Sequence, residues 1–228
     1  MDHISENLNL IMARIAKAAE KSGRTAEDIS LVAVTKLHSP EEINEAIRCG
    51  VSITAENKVQ ELLKKYDHVQ SPQWHLIGHL QTNKVKQIIG KVSLIHSVDS
   101  VHLAEEINKR ASALGIVQDV LIQINAASEE QKSGISPDEL PILLDSIKSL
   151  TNVKIRGLMQ IAPYAEDPED VRIYFKQLKQ LYEKYRTEEF RYLSMGMSND
   201  FEVAIEEGSN MVRIGTAIFG ARDYGKDL

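Results

Sequence analysis

Residues 189–222 read EFRYLSMGMSNDFEVAIEEGSNMVRIGTAIFGAR, and the fold is read outward from them. Residues 190–193 are short and apolar enough for a buried strand. The run Ser194-Met195-Gly196-Met197-Ser198-Asn199-Asp200 is too rich in Gly, Ser and Asn to extend either strand or helix. Ser198 or Asn199 is expected to cap a short helix carrying Phe201, Ala204 and Ile205, which Gly208 stops. A second buried strand, 210–214, runs straight into Gly215-Thr216-Ala217. Two successive loops with free backbone N–H groups make a cradle for a phosphate. The loops after strands 7 and 8 of a (β/α)8 barrel form such a site recurrently. Two ordinary strand-to-helix turns would look the same at this level.

Upstream, the same unit recurs. Apolar runs at 30–34, 51–54, 73–77, 92–95, 119–124 and 153–158 read as strands, mostly without alternation, as parallel strands buried on both faces do. Between them, helical spacing appears at 40–48, 57–66, 82–89, 101–114, 137–150 and 170–185, with an additional amphipathic helix at 4–21. With the two strands of the opening stretch, eight strand candidates alternate with helices. That alternation in 228 residues points to a single α/β domain over 1–228, a closed (β/α)8 TIM-type barrel with an extra N-terminal helix.

The net charge of −6 argues against general affinity for nucleic acid or anionic membrane. One cysteine, Cys49, excludes an intramolecular disulfide and suggests a reducing compartment; at the end of the 41–48 helical pattern it reads as a packed thiol. No apolar run approaches the roughly 20 residues that span a bilayer. The first residues are acidic and polar, unlike a signal or transit peptide. A cytoplasmic protein is expected.

Chemistry in such a barrel sits at the C-terminal ends of the strands. The polar residues there are Lys36, Glu56 and Asn57, His79, Ser97, Asn125, Gln160, Ser194 and Ser198, and Arg213 with Thr216. Lys36 directly follows the buried run 31–34. A lysine desolvated in a barrel mouth loses its proton more easily and becomes an amine nucleophile, whereas a lysine that snorkels outward does not. Amines attack carbonyls, so a carbonyl cofactor with a phosphate handle, pyridoxal 5'-phosphate, would suit both Lys36 and the 194–216 cradle. Arg213 lies inside a strand, where a guanidinium needs acceptors. It would pair with Glu56 or another carboxylate, or donate to a pyridine nitrogen and keep that nitrogen unprotonated. His75 and His79 are four apart, but a strand-to-loop setting does not make a metal pair. No metal site is expected.

These residues also carry a resemblance. Ala33-Val34-Thr35-Lys36, Glu56-Asn57 with Val59-Gln60-Glu61, Trp74-His75-Leu76-Ile77-Gly78-His79-Leu80-Gln81-Thr82-Asn83-Lys84 and His96-Ser97-Val98-Asp99 are similar, in order, to motifs of the pyridoxal phosphate homeostasis proteins. So are Gln123-Ile124-Asn125 with Lys132-Ser133-Gly134, Arg156-Gly157-Leu158-Met159, 193–198 and 212–220. That family shares the N-terminal barrel of alanine racemase. The resemblance implies Lys36 as the residue that forms a Schiff base with the cofactor, Ser198 and the backbone of Gly215-Thr216 at the phosphate, and Arg213 at the pyridine nitrogen. It places Asn57, His79, Met159 and Ser194 around the site. Where the family usually has Gly-Glu-Asn-Tyr, this chain has Ala55-Glu56-Asn57-Lys58, which alters one turn and one wall of the mouth.

Two functions compete. One is a carrier that holds pyridoxal phosphate reversibly by transaldimination at Lys36 and takes part in its intracellular homeostasis. The other is a small racemase-like enzyme acting on amino acids, with Lys36 as its catalytic base. Racemisation needs a proton donor on each face of the ring. Lys36 serves one face, no evident residue serves the other, and the sequence ends at Leu228 soon after the Ala221-Arg222 end of the last motif. An arginine opposite the ring nitrogen also weakens the ring as an electron sink. The carrier is favoured, with PLP-dependent apoenzymes as recipients and a monomer as the expected state.

Overall fold

The structure, a computed structural model, describes residues 2–71, 73–127 and 133–220. Strand β1 (Ser30–Val34) shows how one strand serves two cores. Val32 and Val34 turn toward the barrel axis, among Ala55, Leu94, Leu121, Met159 and Met211. Ala33 packs outward with Val212 and Ile214. Side chains that alternate across a strand require this division. It continues through β2 (Ile53–Glu56), β3 (Gln73–Leu76), β4 (Leu94–Val98), β5 (Gln118–Ile124), β6 (Val153–Gln160), β7 (Tyr192–Ser194) and β8 (Met211–Ile214). Each strand pairs in parallel with the next, and β8 returns to β1 with Ser30 opposite Met211 and Ala33 opposite Ile214. The sheet therefore closes, and none of its eight described strands is an edge strand.

Helix α1 (Asp2–Lys21) precedes the barrel, and α2 (Pro40–Arg48), α3 (Val59–Tyr66), α4 (Val85–Ile88), α5 (Val101–Ala113), α6 (Leu140–Ile147), α7 (Arg172–Tyr185), α8 (Phe201–Glu206) and α9 (Thr216–Phe219) follow the strands in turn. The start of α2 is set locally. Ser39 Oγ accepts from Glu42 N, Glu42 Oε2 accepts from Ser39 N at 2.8 Å, and Pro40 occupies a first-turn position that needs no N–H. On α1, Ile4, Leu8, Ile11, Ile15, Ala18 and Ala19 are buried and share a cluster with Phe201, Ile205, Ile218 and Phe219. Arg14–Glu202 and Lys21–Glu206 pairs flank that contact. Each buried Ile or Leu contributes about 2 kcal/mol, against less than about 1 kcal/mol for an exposed ion pair. The apolar stripe holds α1.

Four strands run one to three residues further than the apolar pattern suggests: β2 ends at Glu56, β4 at Val98, β6 at Gln160 and β7 at Ser194. Three helices open with a tighter turn, at Thr82–Lys84, Pro137–Glu139 and Pro168–Val171. Helix α8 is capped by neither Ser198 nor Asn199. Its N-cap is Asp200, whose Oδ1 accepts from Met197 N at 2.6 Å. Cys49, expected to be packed, is exposed, because it sits at the C-cap of α2 where the chain leaves the helix. Lys132 and the 221–228 tail, with Ala221, Arg222 and Leu228, lie outside the described residues. Among the described residues no helix is long and apolar enough to cross a membrane.

Candidate functional site

Arg213 is buried on the inward face of β8, a position that demands acceptors. Its Nη1 donates to Ser194 Oγ at 2.6 Å and its Nη2 to the Gln160 carbonyl oxygen at 2.8 Å. Burial pushes the guanidinium down to about 10, with Asp200 pulling it back up, so it is a cation at neutral pH. Ser194 Oγ lies 3.1 Å from His96 Nδ1, and His96 Nε2 lies 3.0 Å from His75 Nδ1. A polar chain thus crosses the barrel interior from β8 through β7 and β4 to β3. Burial lowers both imidazoles, His75 to about 3 and His96 well below the usual range, the latter also because His75 and Arg213 lie close.

Glu56 does not pair with Arg213. It occupies the outward parity of β2, and the barrel wall separates the two. Its Oε1 accepts instead from Lys65 Nζ at 2.8 Å and lies 2.6 Å from Thr35 Oγ1. Lys65 Nζ, itself buried, also reaches Glu61 Oε1 and the Thr35 carbonyl oxygen, both at 2.8 Å. Burial raises the Glu56 carboxyl against the pull of that ammonium.

Ser198 serves the next loop rather than its own helix. Its Oγ accepts from Gly215 N at 3.4 Å and from Ala217 N at 3.5 Å, two long bonds that converge on one point. Close approach makes this corner. A Cβ on Gly215 would lie 2.9 Å from the Val34 carbonyl oxygen, and one on Gly196, at φ +96°, would lie 2.7 Å from Ala204 Cβ. The loop after β8 therefore presses on the end of β1, two residues before Lys36. Thr216 is exposed and Gly215 half-buried beside it.

Lys36 is half-buried in the turn after β1, two residues beyond the inward-facing Val34. Asn57 likewise follows Ala55. Asn57 and His79 line a cavity of about 250 Å³ together with Ile77, Gln123, Asn125 and Ser133. Among the described residues, Asn57 Oδ1 and Gln123 Oε1 have no hydrogen-bond partner. His79 Nδ1 stands 3.7 Å from Asp99 Oδ2, whose carboxyl burial raises. Met159 is fully buried in the barrel interior, on β6 opposite Ser194 of β7. The site residues expected from sequence thus fall into three groups: Arg213 with Ser194 and Met159, Ser198 with Gly215 and Thr216, and Asn57 with His79. Lys36 stands where the ends of β1 and β8 meet. Among the described residues no group of three His, Cys, Asp or Glu side chains is placed to hold a metal.

A family model described as alanine racemase, N-terminal domain, matches residues 2–223. A pyridoxal phosphate homeostasis protein of Aquifex aeolicus is 50% identical over 224 residues, covering 96% of this chain and 98% of its own length. The chain belongs to the pyridoxal phosphate homeostasis protein family. PipY of Synechococcus elongatus, solved with PLP bound, superposes on this homeostasis-family barrel with a TM-score of 0.82 at 32% identity, over 95% of this chain and all of its own. The alanine racemase of Clostridium difficile, at 18% identity and a TM-score of 0.77, shares the fold over the whole of this chain and 61% of its own.

Five residues of this family member had no place in the site expected from sequence: Thr35, Glu61, Lys65, His75 and His96. Glu61 and Lys65 give the ordinary signal of a solvated i,i+4 pair, and only the packing of α3 onto β1 and β2 buries it. His75 and His96 sit on the inward parity of their strands, where a polar side chain within an otherwise apolar run signals a partly polar barrel interior.

Proposed function

We propose that the protein binds pyridoxal 5'-phosphate at the C-terminal end of the barrel, linked to Lys36, and takes part in intracellular handling of that cofactor by capturing and releasing it. The observation that carries this is the corner at which Gly215 presses on the end of β1. It sets Ser198 Oγ and the N–H groups of Gly215 and Ala217 beside the turn that bears Lys36. Among the described residues those N–H groups make only long bonds to a neutral hydroxyl, and a phosphate oxygen would be a stronger acceptor for them. Arg213, kept cationic and already forked between two acceptors, fits a pyridine nitrogen that stays unprotonated. The residues present suit the group, and PipY, a relative of this chain, was solved with the same cofactor bound.

When bound, the cofactor supplies an aldehyde that condenses with amines. Lys36 Nζ would hold the cofactor through its aldehyde carbon and give it up to a competing amine. Ser198, Gly215 and Thr216 hold the phosphate, Arg213 the ring nitrogen, and Asn57, His79, Met159 and Ser194 line the walls. The whole site is assigned to one barrel, working as a monomer.

The test is an absorption spectrum with pyridoxal phosphate before and after borohydride, beside Lys36→Ala, with mass analysis of the reduced peptide. A visible band trapped on Lys36 in wild type alone supports the assignment; no band in wild type overturns it. An amino-acid turnover assay on the same sample separates carrier from racemase. Delivery to PLP-dependent apoenzymes is rejected if they gain cofactor no faster from this protein than from free solution.

A further inference from the structure

The turn after β1 is strained and clamped from outside the barrel. Leu37 adopts φ +65°, a left-handed conformation that a bulky residue rarely takes. Its side chain is exposed, so packing does not hold it there. The backbone does. Leu37 N donates to Glu61 Oε1 at 2.5 Å, and the same oxygen is 2.8 Å from Lys65 Nζ. Lys65 Nζ also donates to the Thr35 carbonyl oxygen, and Thr35 Oγ1 meets Glu56 Oε1. Both flanks of Lys36 are therefore tied to α3 and β2 on the outer face of the wall, with half-buried Lys36 between them. Strained backbone persists where its surroundings over-determine it, and such sites cluster at functional groups.

We propose that Glu61 and Lys65 are positioning residues for Lys36: by holding Leu37 N and the Thr35 carbonyl they keep the turn in the left-handed conformation that directs the Lys36 amine into the barrel mouth. This rests on the assignment of Lys36 as the cofactor lysine. Glu61 is the element to change, since it is half-buried and its loss leaves Lys65 paired with Glu56. Lys65 is the poorer choice, because removing it strands Glu56 as a buried unpaired carboxyl.

Glu61→Ala leaves Leu37 N without its acceptor, and the turn spends most of its time elsewhere. Hydrogen exchange of the Leu37 amide, measured by NMR on the cofactor-free protein, should accelerate about ten-fold or more, the scale of one lost local bond. The rate of forming the borohydride-trappable adduct at Lys36 should fall about ten-fold for the same reason. Glu61→Gln keeps a carbonyl acceptor for Leu37 N and should stay within about three-fold of wild type in both. The double variant Glu61→Ala with Leu37→Gly should recover part of the adduct rate, since glycine takes positive φ without strain. Equal rates in wild type and Glu61→Ala, or equal losses in the Ala and Gln variants, overturn the proposal. Should wild type form no adduct, the cofactor assignment fails, while the amide-exchange comparison still decides whether the clamp exists.

Discussion

Arg213 Nη1 donates to Ser194 Oγ at 2.6 Å, and that bond joins the guanidinium to a buried run of hydrogen bonds that ends at His75. A guanidinium only donates, so Ser194 accepts from it; beyond that hydroxyl, His96 Nδ1 lies 3.1 Å away and His96 Nε2 lies 3.0 Å from His75 Nδ1, one imidazole donating and the other accepting. Both imidazoles are neutral, and the arginine is the one full charge along this run of hydrogen bonds.

Neutral histidines make stability fall with acid. His75 and His96 stay unprotonated in the fold, His75 down to about 3, while in the unfolded chain each binds a proton below its ordinary value near 6.5. Their contribution is fully present above about pH 6.5 and is lost as pH falls below it. Each should remove about 1.4 kcal/mol of stability per pH unit between roughly pH 6 and 5. Urea unfolding at these pH values should show the slope, and His96→Gln should reduce it by half. An unchanged slope in that variant would mean His96 is protonated in the fold.

Arg213→Lys is not a conservative change here. A single ammonium cannot serve Ser194 Oγ and the Gln160 carbonyl in the fork geometry. One buried acceptor is left unpaired, at about 1–3 kcal/mol. Chemical denaturation should show this loss, and a variant as stable as wild type would show that the fork is dispensable.

Ser198→Ala tests the cradle separately from the lysine. Removing a hydrogen bond to a charged group costs about 1.5–3 kcal/mol, so affinity for pyridoxal phosphate should drop at least about ten-fold. Pyridoxal, which lacks the phosphate, should bind both proteins alike. Equal losses for the two ligands would place Ser198 away from the phosphate.

Gly157 is held by geometry rather than flexibility. At φ +145°, a Cβ there would lie 1.8 Å from the Tyr192 carbonyl oxygen, a backbone atom of the neighbouring strand. Gly157→Ala should cost more than about 4 kcal/mol or abolish soluble expression. Gly115→Ala, at φ +67° with open space around it, should cost only about 1 kcal/mol. Comparison of the two melting temperatures checks the contrast.

The barrel was legible because parallel strands announce themselves as apolar runs, and β1 begins and ends where its run does. The strand ends were less so. At the mouth the inward positions are filled by His96 and Ser194, so the apolar pattern stops while backbone pairing continues. Ser198 was readable as a polar loop residue but not its partner, since its hydroxyl turns to the following loop and Asp200 takes the cap. Lys65 was invisible. On a helix of ordinary polarity nothing distinguishes a lysine that faces water from one driven into a carboxylate pocket between β1 and β2.

The pairing of β8 with β1 sets when the site comes into being. Lys36 leaves the ribosome well before Arg213 and Gly215. No fragment that lacks β8 can bring them together, because they become neighbours only when the ring shuts. A ligand bridging Lys36 and the Gly215 loop is then a staple across that seam. It binds only the closed form, so it adds to the work of reopening the ring as its concentration rises. Empty and loaded protein should differ most in how readily the first and last strands part.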